Sequence, residues 1–167
     1  MRYVAFLRGV SPMNLQMADL QRCLEATGFT EVKTVRSSGN VAFTARKQSR
    51  AALERKIETA MAQQRVFYTI VRTQEELERI IAADPFATFD LPANAKRLVT
   101  FARKLKQPAT WPGRRSDVAI LCANEREAYS MYVPGPNAVE FMALIEKTFG
   151  REVTTRTWET VPKCARA

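Results

Sequence analysis

The chain has 167 residues, 46% hydrophobic and 26% charged, with 26 Lys and Arg against 17 Asp and Glu for a formal charge of +9. That length predicts one compact unit or two small ones sharing a core, and no apolar run approaches the roughly 18 residues needed to span a bilayer, so a soluble, cytoplasmic protein without membrane contact is expected. Histidine is absent, which removes Ser-His-Asp and Cys-His dyads, histidine bases and histidine-ligated metals, while the excess positive charge favours anionic partners.

Arg2–Arg8 is rich in β-branched and aromatic residues and reads as a strand ending at Gly9. Met17, Leu20 and Leu24 recur at near-helical spacing and predict a helix over 17–27, closed by Gly28. Strands over 31–36 and 41–45 flank Ser37-Ser38-Gly39-Asn40, a composition that favours a tight turn. Leu53, Ile57, Ala60 and Met61 mark one face of a helix over 49–64, and Val66–Val71 follows as a continuous apolar strand. Thr73 and Glu76 have capping-box spacing, which opens a connector helix ending before Asp84-Pro85.

The Pro- and Asn-containing stretch 84–95 reads as a link between two halves, 1–83 and 96–167, packed as one compact unit. Arg97–Arg103 matches Arg2–Arg8 at four of seven positions, where a repeat should begin. Strands over 118–122 and 129–133 form a second hairpin, and Asn137 with Glu140 is expected to cap a helix bearing Phe141, Met142, Ile145 and Phe149, closed by Gly150. Pro108, Pro112 and Gly113 oppose a helix between Lys104 and Asp117, so the second half has lost or shortened one crossover helix. The fold class is α+β: two ferredoxin-like βαββαβ halves in tandem, the second degenerate, with a short C-terminal helix.

A split βαβ sheet places its third strand between the first and second, so Arg8-Gly9 and Ser37–Asn40 should be neighbours at one edge. A guanidinium beside a turn whose N–H groups point outward is a cradle for phosphate or carboxylate; equally, the Arg ties down the hairpin through its carbonyls.

Leu7-Arg8-Gly9-Val10, Met17-Ala18-Asp19-Leu20, Gly28-Phe29-Thr30, Ser38-Gly39-Asn40-Val41 and Thr154-Thr155-Arg156-Thr157-Trp158 occur in this order. Together they resemble the domain-of-unknown-function family 1697, a group of mostly bacterial small proteins, over essentially the whole chain. The resemblance implies no activity, substrate or cofactor. Ser11-Pro12-Met13-Asn14 departs from the family's Gly-rich loop, Ser37, Thr157 and Glu159 stand where amide residues are usual, and Pro162 places the start of the terminal helix near Thr160. The resemblance adds Thr155, Arg156 and Trp158 to the candidate site, where they would supply a second cation and close over the edge; otherwise Trp158 anchors the terminal helix and Arg156 stacks or caps.

The expected ligand-binding set is therefore Arg8, Gly9, Ser38, Gly39, Asn40, Thr155, Arg156 and Trp158, taking a small anionic ligand. The alternative is a nucleic-acid-binding protein working through its basic surface, although the third strand offers one aromatic where the RNA-recognition signature needs several. A third reading is an enzyme on a small phosphorylated or carboxylated metabolite using Arg8, Ser38, Asn40, Arg156 and Lys163, a set without a convincing base. Cys23, Cys122 and Cys164 lack metal or redox spacing and read as small apolar residues, and Glu54, Glu58, Glu75, Glu76 and Glu78 read as helix-surface partners of Lys and Arg. No metal and no cofactor are expected.

Overall fold

The computed structural model describes residues 1–167. They divide into two units, Met1–Ala82 with Val161–Ala167, and Ala83–Thr160. Residues 161–167 thus belong with the first unit, and the division does not fall at a single boundary in the 84–95 link.

The first unit contains β1 (Arg2–Leu7), α1 (Met17–Ala26), β2 (Thr30–Val35), β3 (Asn40–Thr44), α2 (Arg50–Met61), β4 (Thr69–Thr73) and α3 (Gln74–Ala83). Its antiparallel sheet runs β2-β3-β1-β4, the split βαβ order. One sheet face, carrying Tyr3, Ala5, Leu7, Val41, Phe43 and Val71, packs with Leu20 and Leu24 of α1 and Leu53, Ile57 and Met61 of α2. The opposite face, with Val4, Phe6, Ala42, Ile70 and Arg72, is buried as well. Burial on both faces explains why β1 is apolar almost throughout instead of alternating.

Local signals set the element ends. Gly28 adopts φ 87° after α1 and its N–H donates to Glu25 O at 2.9 Å. Ser49 accepts from Ala52 N–H at 3.2 Å to start α2. The Thr73–Glu76 capping box is reciprocal, at 3.1 and 2.8 Å. The apolar run 66–71 is only partly a strand: Val66 is exposed, Phe67 plugs the core, and pairing begins at Thr69.

The second unit contains β5 (Lys96–Ala102), β6 (Val118–Ala123), β7 (Glu127–Tyr132), α4 (Glu140–Phe149) and β8 (Val153–Thr157); α5 (Thr160–Ala165) follows. Its sheet order, β6-β7-β5-β8, repeats the permutation of the first. Where the first unit has α1, residues 103–117 form no helix. Leu98, Ala102, Val118, Ile120 and Val153 pack with Phe141, Ile145 and Phe149 of α4. Asn137 does not cap this helix: the chain enters α4 through a 3-10 turn at Pro136–Val139, and Asn137 Nδ2 instead donates to Asp117 Oδ2 at 3.0 Å. Pro136 at the first position of that turn fixes φ and leaves Asn137 inside the turn instead of before the helix. Gly150, at φ 82°, ends α4 with its N–H on Glu146 O at 2.8 Å. Pro162 lies in the first turn of α5, which begins at Thr160 as expected.

Candidate functional site

The end of β1 and the β2–β3 hairpin meet through backbone. Leu7 N–H donates to Gly39 O and Arg8 N–H to Tyr68 O, each at 2.8 Å, so β1 stays tied on both sides as it leaves the sheet. Gly9 then turns the chain at φ 76°. Asn14 stiffens the loop: its Nδ2 donates to Gly9 O at 2.7 Å and its Oδ1 accepts from Ser11 N–H at 2.9 Å.

The hairpin closes against this loop. Gly39 has φ 77°, and a Cβ placed there would lie 2.8 Å from Val10 Cβ and 3.1 Å from Leu7 O. Asn40 is fully buried, and its Nδ2 donates to Val35 O at 2.9 Å and to Ser38 Oγ at 3.0 Å. Asn40 and Ser38 therefore brace the turn from within. The outer layer is Gly9, Arg36 and Ser37, which are exposed, with Arg8 half-buried. Backbone N–H groups of Gly9, Val10 and Ser37 donate to nothing within the chain. At one edge the structure thus gathers Arg8, Gly9, Ser38, Gly39 and Asn40, together with Arg36 and Val10, which lie outside the expected ligand-binding set.

Thr155, Arg156 and Trp158 lie on β8 or just after it, in the second unit, with partners of their own. Thr155 Oγ1 is 2.8 Å from Thr100 Oγ1 across the β5–β8 ladder. Arg156 is nine-tenths buried, with Nη1 on Thr154 Oγ1 at 2.6 Å and on Thr155 O at 2.9 Å. Trp158 is buried edge-on to Phe86 and Tyr129, with centroids at 5.2 and 6.3 Å. Lys163 is exposed on α5.

Two of the helix carboxylates differ from expectation. Glu54 is buried and its Oε1 accepts from Val71 N–H at 3.0 Å, while Glu58 Oε1 accepts from Thr69 N–H at 2.9 Å. They cap N–H groups of the edge strand β4, which a helix-surface reading cannot foresee because the i, i+4 spacing is the same in both cases. The sheet face that an RNA-recognition module uses for stacking is closed in the first unit, where Val4, Phe6 and Ala42 have no exposed surface.

A family model described as a protein of unknown function (DUF1697) matches residues 1–119. The chain matches no curated protein. Among solved structures it is similar to a conserved bacterial protein from Streptococcus pneumoniae at 20% identity and a TM-score of 0.71, covering 99% of this chain and 96% of that one. That likeness supports the fold of both units.

Proposed function

Because the chain belongs to the DUF1697 family of proteins of unknown function, we propose for it a binding role: a small phosphate- or carboxylate-bearing ligand held at the Arg8–Val10 and Ser37–Asn40 edge of the first unit. The observation that carries this reading is the pairing of Leu7 N–H with Gly39 O at 2.8 Å, which brings the backbone at Arg8 and Gly9 beside the Ser37–Asn40 turn, with the N–H groups of Gly9, Val10 and Ser37 making no backbone hydrogen bond. Anion oxygens there would accept from Gly9, Val10 and Ser37 N–H and from the guanidinium. Ser38, Gly39 and Asn40 contribute by holding the turn. Arg36 adds a second positive charge at the rim. Thr155, Arg156 and Trp158 are not needed for this reading.

Calorimetric titration of inorganic phosphate and pyrophosphate into wild type and Arg8→Gln, at about 50 and 200 mM salt, tests it. Loss of one charge-assisted contact, about 1.5–3 kcal/mol, predicts at least a tenfold weaker affinity in Arg8→Gln. Equal binding by the two proteins contradicts the proposal. Labelled single-stranded RNA, followed by anisotropy under the same conditions, should bind weakly and lose binding with salt equally in both proteins. RNA binding that survives the higher salt and disappears in Arg8→Gln would make the edge a nucleic-acid site instead.

A further inference from the structure

Cavities within the units differ in the charge of their walls. Glu159 lines one of 380 Å³, Glu75 and Glu78 line one of 440 Å³, and Asp90 lines one of 430 Å³. A fourth, of 320 Å³, is walled by Trp111, Pro112, Arg114 and Ile120–Ala123, and combines a guanidinium with no carboxylate. It opens beside the 103–117 segment, which stands where the first unit has a helix.

The walls of this cavity are positioned by specific contacts. Strand β6 carries a bulge: Ile120 pairs with Ser130 and Cys122 with Tyr129, so Leu121 is an extra residue. The Leu121 carbonyl accepts from Arg114 Nη2 at 2.7 Å. The Arg114 guanidinium also lies 5.3 Å from the centroid of Phe89, a wall of the neighbouring 430 Å³ cavity, which Arg114 lines as well. Its remaining N–H groups have no hydrogen-bonding partner in the chain. Trp111, 45% exposed, stands edge-on to Phe149 with centroids 6.0 Å apart. Half-burial pushes the Cys122 thiol up, against the pull of the Arg114 charge, so that side of the wall is neutral.

We propose that the second unit binds a small single-ring carboxylic acid in this cavity, its carboxylate on Arg114 and its ring against Trp111 and Ile120. The planar guanidinium fork suits a carboxylate, and the aromatic and aliphatic walls suit a flat apolar body. The volume lies at the low end of the roughly 300–1,000 Å³ of ligand pockets, which limits the body to about one ring. The inference is independent of the anion site on the first unit.

Benzoate is the probe, with benzamide as its neutral isostere and acetate as a carboxylate without a ring. The two tryptophan indole N–H resonances separate Trp111 from the buried Trp158, and Trp111→Phe assigns them. Saturable movement of the Trp111 resonance by benzoate is expected, with Trp158 unmoved and with slower iodoacetamide alkylation of Cys122, but not of Cys23, read by peptide mass spectrometry. Arg114→Gln should weaken the benzoate response of the Trp111 resonance at least tenfold and leave that of benzamide unchanged. The inference is overturned by a non-saturable response, by equal affinity for benzoate and benzamide, by acetate binding as tightly as benzoate, or by Arg114→Gln binding benzoate like wild type in a protein whose amide spectrum shows an intact fold.

Discussion

Gly39 is the residue at which the proposed edge is least tolerant of change. An added methyl would meet Val10 at 2.8 Å in a backbone region, φ 77°, that disfavours any side chain. Gly39→Ala should cost about 2–4 kcal/mol from left-handed strain together with overpacking, read as a lower denaturant midpoint at unchanged slope. Ser130 presents the reverse case, since its hydroxyl is buried without a hydrogen-bond partner. Removing it by Ser130→Ala should raise stability, by up to about 1 kcal/mol, and a loss of stability would show that the hydroxyl has a role in the core. Glu54→Ala leaves Val71 N–H buried and unpaired and should cost about 2 kcal/mol, with Glu54→Gln losing less because it keeps an acceptor. Of these residues, only Gly39 was legible in the sequence, through its place in a Ser-Ser-Gly-Asn turn. A lone serine in a strand and a glutamate on a helix do not announce which backbone atom, if any, lies opposite them.

Elements were most legible where a local chemical signal marks them. The Thr73–Glu76 box, Gly28, Gly150 and the first hairpin all appear as their residue types require. Strand β8 was not read as a strand, because Val-Thr-Thr-Arg-Thr has no apolar alternation; its order comes from pairing with β5. Exposed strand edges are managed differently in the two units. In the first, Glu54 and Glu58 cover β4, while β2 carries an irregularity between Thr30 and Lys33 with Glu31 at φ 50°. In the second, the β6 bulge turns Leu121 O to Arg114. The capping box also yields a pH dependence. Burial would push the Glu76 carboxyl up, but Thr73 N–H, the Arg50 hydrogen bond and the charges of Arg50 and Arg72 outweigh it and hold the carboxyl below its ordinary 4.5. A carboxyl depressed in the folded state adds stability that is present above its unfolded value and lost as pH falls through the folded one. The stability gap between wild type and Glu76→Gln should therefore be full near neutral pH and shrink below about 4.5; a gap that does not change with acid would contradict this.

At the scale of the whole chain, one strand permutation occurs twice, and the match of Arg97–Arg103 to Arg2–Arg8 was its trace in the sequence. Proline and glycine between Lys104 and Asp117 showed that the second copy lacks a helix, but not that a walled cavity stands beside the segment that replaces it. That cavity depends on a bulge in β6 that brings Leu121 O onto Arg114, residues that no local pattern pairs. The grouping of Val161–Ala167 with the first unit was also hidden, since no local pattern says which sheet a terminal helix joins. Val161, Cys164 and Ala165 are buried, and Arg2 Nη2 donates to Ala167 O at 2.8 Å. Deleting residues 161–167 should accelerate hydrogen exchange in β1 and β3 while leaving β5 and β7 protected, whereas uniform acceleration would contradict the assignment of this segment to the first unit.

The most direct test of the central claim is an amide-resolved titration of the ¹⁵N-labelled protein with inorganic phosphate. Saturable shifts centred on Gly9, Val10 and Ser37, and lost in Arg8→Gln, are the predicted result. Shifts scattered over exposed Lys and Arg segments, with those three amides unmoved, would contradict it.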